Sequence, residues 1–126
     1  MPSNHTEAFK ACVQKCKDCI EACKKCTVNS NSNHKACMQK CEDCIKACKS
    51  CIAKCKEHLA KCKDEDCVEA CKDCIKKCEA CIKACEECSK ECKDDNKKLP
   101  ALCQACVKAC NELIKTCEEC IECSCS

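Results

Sequence analysis

The chain has 126 residues with a net charge of +2, contains 27 cysteines, and lacks Gly, Trp, Tyr and Arg. This composition excludes a Gly-rich phosphate loop, an aromatic platform for nucleic acid and a turn-rich all-β domain, and the balanced charge implies no strong attraction to nucleic acid or to a membrane. Val, Ile, Leu and Phe number only 16, too few for an ordinary core, so either the cysteines form the interior or there is none.

Four series of cysteines, spaced alternately by four and three residues, predict four helices in chain order. The first helix is predicted near 4–27 and contains Cys12, Cys16, Cys19, Cys23 and Cys26. The second, near 33–62, contains Cys37, Cys41, Cys44, Cys48, Cys51, Cys55 and Cys62. The third, near 65–93, contains Cys67, Cys71, Cys74, Cys78, Cys81, Cys85, Cys88 and Cys92. The fourth, near 98–122, contains Cys103, Cys106, Cys110, Cys117 and Cys120, and is followed by Cys123 and Cys125.

Steps of four and three residues are the a and d register of a helical seam, with cysteine in place of the usual Leu or Ile. Polar segments at 27–33, 63–66 and 94–99 separate the helices, with Asp64 suited to cap the third helix and Pro100 to begin the fourth. Because short connections make consecutive helices antiparallel neighbours, we expect a single all-α domain. It should be an antiparallel up-down-up-down four-helix bundle with a Cys-lined core.

The positions beside each cysteine stripe carry the aliphatic residues. Branched aliphatics occupy e and Ala is frequent at g, so these shoulders are predicted to join the helices and seal the core. Met38 lies at an e position and is therefore predicted to pack. The inward stripe itself also holds residues other than cysteine, which are His5, Phe9, His34, His58, Leu99 and Leu113.

A disulfide scaffold is disfavoured by the odd number of cysteines, and by Cβ atoms about 5–6 Å apart at i and i+4, too far for a disulfide. A role as small core hydrophobes does not explain why one oxidisable residue fills nearly every a and d slot. Iron–sulfur clusters usually occupy irregular Cys-rich loops. A regular helical column of thiols therefore favours binding of a soft metal ion.

The repeating unit along each helix is C-x3-C, which presents two sulfurs on one face, one turn apart. Two convergent thiolates suit Cu(I), which accepts a low coordination number, whereas zinc requires four tetrahedral ligands. Storage of Cu(I) is the favoured interpretation, and a zinc or cadmium thiolate buffer resembling metallothionein is the alternative. No cysteine is distinguished from its neighbours as a catalytic thiol would be, so an enzyme is not expected.

The N-terminal residues show no secretory signal and no segment approaches the length of a membrane span. A cytoplasmic protein is therefore expected. In a reducing cytosol thiols persist and remain available for metal.

The repeats CKDCIEAC at 16–23, CEDCIKAC at 41–48 and CKDCIKKC at 71–78 resemble those of the bacterial copper storage proteins. The resemblance covers nearly the whole chain and implies a four-helix bundle whose core fills with Cu(I), mostly at the two thiolates of one C-x3-C. It further implies that His or Met near one end assists copper uptake, that this chain is of the cytosolic type, and that it forms a homo-oligomer, a tetramer by family habit. The chain departs from the family in its larger number of cysteines and few Met.

All 27 cysteines, with His5 and His58, are the predicted metal ligands, and several Cu(I) ions per chain are the predicted cargo. An isolated bis-thiolate Cu(I) site carries a charge of −1, and burying many such charges is expensive. Later coppers are therefore expected to share thiolates, giving a capacity between roughly 13 and about 27 ions. Unidentified copper donors or acceptors are the expected partners, with neither nucleic acid nor membrane among them.

An antiparallel bundle brings one set of histidines and outer thiols to a common end, which is predicted to admit copper. This set is His5, His58, Cys62, Cys67, Cys120, Cys123 and Cys125. At the opposite end lies His34, with Leu99 and Leu102 expected to plug the opening.

Overall fold

The computed structural model describes residues 4–26, 31–94 and 99–122, with side chains described within 6–26, 34–92 and 100–122. The described residues form four helices without strands, so the predicted all-α fold class is confirmed. These helices are α1 (Asn4–Cys26), α2 (Asn31–Lys61), α3 (Glu65–Asp94) and α4 (Leu99–Glu122).

The helix ends lie within two residues of the positions expected from the sequence. The largest difference is at α2, which begins at Asn31 and not near residue 33. Polar Asn and Ser residues mark a helix start but are also tolerated in the first turn, so composition alone does not locate the first helical residue.

The turn between α2 and α3 contains the predicted cap. Asp64 Oδ1 accepts hydrogen bonds from the backbone N–H groups of Asp66 at 3.0 Å and Cys67 at 3.4 Å. These N–H groups have no partner within the helix, because they belong to its first turn. Capping by Asp64 is therefore confirmed, and it fixes the start of α3 close to the end of α2.

Each helix packs against two neighbours, α1 and α3 both lying between α2 and α4. The direction of α1 and α2 follows from their thiol contacts, which pair Cys16 with Cys44, Cys19 with Cys41 and Cys23 with Cys37. The residue numbers of the contacting cysteines decrease along α2 as they increase along α1, so the two helices are antiparallel. Similar pairs join the other neighbours, which confirms the up-down-up-down bundle.

The interior consists almost entirely of cysteine, with Phe9 and Leu113 as its large apolar side chains. Half-buried aliphatics, among them Ile45, Ile82 and Ile114, pack against the edge of this core as predicted. Met38 is one of these packing residues, which confirms its predicted position. The aliphatic shoulders thus shield the thiols from water, and burial of their apolar area stabilises the bundle.

None of the helices, over the ranges that the structure describes, has an apolar stretch of the length and hydropathy needed to cross a membrane.

Candidate metal centre

Nearly all of the core thiols are buried. Of the 25 described cysteines, only Cys62 is partly exposed, and none forms a disulfide. The shortest hydrogen bonds between two thiols join sulfurs 3.6 Å apart, well beyond the S–S bond length of about 2.05 Å. Over the described residues, the cysteines therefore form a reservoir of thiols and no disulfide scaffold.

Three successive layers of the bundle each contain one cysteine from every helix. The first consists of Cys23, Cys37, Cys88 and Cys103. The second consists of Cys19, Cys41, Cys85 and Cys106. The third consists of Cys16, Cys44, Cys81 and Cys110. We call these three layers the sulfur column.

Sulfur atoms are close both within a layer and between layers of the sulfur column. Cys19 Sγ lies 3.7–3.9 Å from the sulfurs of Cys41, Cys85 and Cys106. Between layers, the C-x3-C pair Cys81 and Cys85 has sulfurs 4.0 Å apart. Groups of four sulfurs within 4.8 Å of one another recur along the column. Such groups can hold metal ions, and neighbouring groups share cysteines.

Below the sulfur column, two layers contain three cysteines each. Leu113, fully buried, occupies the α4 position level with Cys12, Cys48 and Cys78. In the next layer Phe9 occupies the α1 position, and the layer's cysteines are Cys51, Cys74 and Cys117, with Cys74 Sγ 3.7 Å from Cys51 Sγ and 3.9 Å from Cys117 Sγ. The tight four-sulfur arrangement therefore ends at Leu113.

The end of the bundle near the α2–α3 turn carries a mixed nitrogen and sulfur pair. His58 Nε2 lies 2.8 Å from Cys67 Sγ, and both residues lie close to the partly exposed Cys62 in sequence. At the same end, Cys120 Sγ on α4 donates a hydrogen bond to the carbonyl oxygen of Ala70 on α3 at 3.4 Å. We call this the His58 end. The structure thus brings His58 together with a predicted thiol ligand.

At the opposite end His34 is buried, as are Cys26 and Cys92, whose sulfurs lie 3.6 Å apart. The sequence placed His34 on the inward stripe, but it was not among the predicted ligands. Buried at the same end as these two thiols, His34 adds a nitrogen to the groups that could contact metal there. Leu102 is only partly buried here, and the side chain of Leu99 lies outside the described residues.

Three predicted ligands fall outside the part of the structure that can be described. These are Cys123 and Cys125, and His5, whose backbone belongs to α1 but whose side chain is not described.

Neighbouring thiols lower the pKa of some core cysteines, whereas burial raises the pKa of others. Hydrogen bonding with Cys110 lowers the pKa of Cys106 to about 6, whereas burial raises the pKa of Cys26 to about 11. Hydrogen bonding with Cys120 lowers the pKa of Cys71 to about 3, and the charge of His58 also lowers it. A metal ion must displace the protons that these thiols retain.

Among the described side chains, no buried lysine is available to balance thiolate charge in the core. Every described Lys is at least partly exposed, and the buried polar residues are His34, Ser89 and Thr116. Because an uncompensated buried charge is costly, thiolates in the sulfur column need positive charge from bound metal.

Comparison with protein families, with curated proteins and with solved structures finds no match to this chain. The fold and the site together define the class of protein: a four-helix bundle whose cysteine core contains several groups of thiols able to hold metal ions.

Proposed function

We propose that the protein stores Cu(I), bound by the thiolates of its core. The observation that carries this proposal is the sulfur column, in which every inward ligand atom of three successive layers is a sulfur. Thiolates are soft ligands and select soft metals over Mg(II) or Ca(II). Several ligand groups that are stacked along the core and share cysteines can bind many ions, as storage requires, whereas a single site would bind one.

Charge favours copper over zinc in this setting. One Zn(II) with four unshared thiolates carries −2, so filling three layers in that way would bury a charge of about −6, and no described lysine is buried to offset it. Cu(I) reaches neutrality at one ion per thiolate when sulfurs bridge neighbouring ions. The closeness of sulfurs between layers, as in Cys81 and Cys85, supports such bridging.

Zinc is a second candidate because one distance favours it. Tetrahedral Zn(II) with Zn–S bonds of about 2.3 Å separates its sulfurs by about 3.8 Å. Sulfurs within the layers lie 3.6–3.9 Å apart, and the layer formed by Cys16, Cys44, Cys81 and Cys110 is one such group. A zinc or cadmium buffer therefore competes with the copper store.

Anaerobic titration of the reduced protein with Cu(I), and separately with Zn(II), against competing chelators tests the two. We expect at least about 13 Cu(I) per chain, with copper displacing zinc. Preferential retention of zinc would overturn the choice of copper, and saturation well below that number would overturn the storage role.

A double variant of one C-x3-C pair checks that the core thiols are the ligands. Cys81→Ser with Cys85→Ser should lower the copper capacity by about one to two ions, the range between pairwise and shared thiolates. Ala80→Ser, at an exposed position of the same helix, is the matched control and should leave the capacity unchanged. An equal capacity in both proteins would contradict core binding.

The proposal includes a non-enzymatic role in the cytoplasm, where reduced thiols persist. The predicted tetramer and the exchange of copper with donor or acceptor proteins stay predictions. Equilibrium sedimentation of the reduced protein measures the first directly.

A further inference from the structure

Two large apolar side chains interrupt the thiol core between the His58 end and the sulfur column. Leu113 is 0% exposed and Phe9 1% exposed. They lie on the neighbouring helices α4 and α1, in successive layers, where a cysteine would otherwise complete each set of four. Every other inward position of these two layers is a cysteine.

The thiol–thiol contacts of 4.0 Å or less are interrupted at the same level. On the His34 side, the contacts at 3.6–4.0 Å connect eight cysteines of the sulfur column into one network, and a further four form a chain beside it. On the His58 side, Cys74 links Cys51 and Cys117. Within the described residues, none of these contacts of 4.0 Å or less involves Cys12, Cys48 or Cys78, the cysteines level with Leu113. Cys12 instead belongs to a looser group with Cys51 and Cys117, whose sulfurs all lie within 4.8 Å of one another.

We propose that Phe9 and Leu113 form an apolar step that divides the copper store into two pools, an exchangeable pool at the His58 end and a retained pool in the sulfur column. This inference rests on the proposed storage of Cu(I). The step contributes no ligand from α4 in one layer and none from α1 in the next. A copper ion that crosses it therefore meets three thiols and one apolar side chain in each of these layers. Crossing is therefore the slow event in filling and emptying the column.

The crossing is a ligand exchange that leaves copper as Cu(I). A Cu–S bond to a thiolate on the His58 side, such as Cys51, breaks while a bond to Cys48 forms. The proton that Cys48 loses passes to the released Cys51 sulfur. No electron is transferred, so the step needs neither an oxidant nor a reductant.

Release of Cu(I) from the fully loaded protein to excess bathocuproine disulfonate under anaerobic conditions measures the two pools. The wild type should release copper in two phases, the slow one corresponding to the sulfur column. Leu113→Cys completes the interrupted layer and should accelerate the slow phase by about tenfold, the equivalent of about 1.4 kcal/mol in barrier height. Leu113→Met keeps the side-chain volume and adds a soft sulfur, so it should act in the same direction even if the cysteine variant folds poorly.

Ile114→Cys is the matched control, because it adds one thiol at the adjacent half-buried shoulder position without completing the layer. It should leave the slow rate unchanged, as should the apolar Leu113→Ile. Equal acceleration by Leu113→Cys and Ile114→Cys would overturn the assignment of the step to Leu113. Single-phase release from a wild type that binds copper to capacity would overturn the two pools and leave storage intact, whereas failure to bind Cu(I) would overturn the storage proposal itself.

Discussion

Individual residues acquire different roles from the same inward register. His34, His58, Phe9 and Leu113 all interrupt a cysteine series. His34 is buried at one end and His58 contacts Cys67 at the other, whereas Phe9 and Leu113 take the place of cysteine in two adjacent layers between the ends. The register predicts that each faces inward. Which thiols surround each residue depends on the other three helices, because the layers combine residues far apart in sequence.

His58 gives a prediction at this scale. His58→Ala should slow Cu(I) loading from a chelator, because Nε2 lies 2.8 Å from Cys67 Sγ at a bundle end with a partly exposed thiol. The final copper capacity should fall by at most about one ion, since the other ligands remain. Stopped-flow loading measures the rate, and Lys61→Ala, an exposed neighbour, is the control. Unchanged loading and removal rates in His58→Ala would remove His58 from the uptake route.

Each helix combines an axial stripe of thiols with aliphatic shoulders and a charged outer face. The exposed face contributes little to stability: the pair Lys25 and Glu21, 3.6 Å apart, is largely solvated, and such pairs are worth about 0–1 kcal/mol. Packing of the shoulders, together with the Asp64 cap at the start of α3, therefore contributes more to stability than the exposed face does. This arrangement could be predicted from the sequence, because the aliphatic residues at e positions and the capping residue Asp64 are recognised from local spacing alone.

The Asp64 cap gives a prediction at the scale of the helix. Asp64→Ala should lower the free energy of unfolding of the reduced metal-free protein by about 1 kcal/mol, since the first-turn N–H groups of Asp66 and Cys67 lose their acceptor. Asp64→Asn retains an acceptor oxygen and should remain close to the wild type. Urea denaturation followed by circular dichroism measures both, and equal losses in the two variants would show that the cap does not hold α3.

At the scale of the whole molecule, the aliphatic shoulders predict that the bundle folds before metal arrives. The reduced metal-free protein should already show the circular dichroism of a helical protein, and Cu(I) should raise its resistance to denaturation by binding the folded state. A disordered metal-free chain that folds only on adding copper would place the protein with metallothionein-like buffers.

Burial also makes the metal-free bundle sensitive to alkaline pH. The pKa of Cys26 is raised to about 11 from an ordinary value of 9.0, chiefly by burial. A group whose pKa is raised on folding contributes its full stabilisation of the folded state at pH values below its unfolded pKa. That contribution is lost as the pH rises through the pKa of the folded state. The free energy of unfolding should therefore fall between about pH 9 and 11, and fall less in Cys26→Ser. A flat profile in this range would contradict the burial of a protonated thiol.

The sequence by itself determined the helices, their inward stripes and the four-helix class, because periodicity and turn signals are local properties of the chain. It also indicated soft-metal chemistry, since no other residue type fills the stripes so regularly. Only the tertiary structure decided which four cysteines share a layer, where His58 meets Cys67, and that Phe9 and Leu113 interrupt adjacent layers. Those relations require the relative register of four helices, which is set when their shoulders pack and which no single helix encodes.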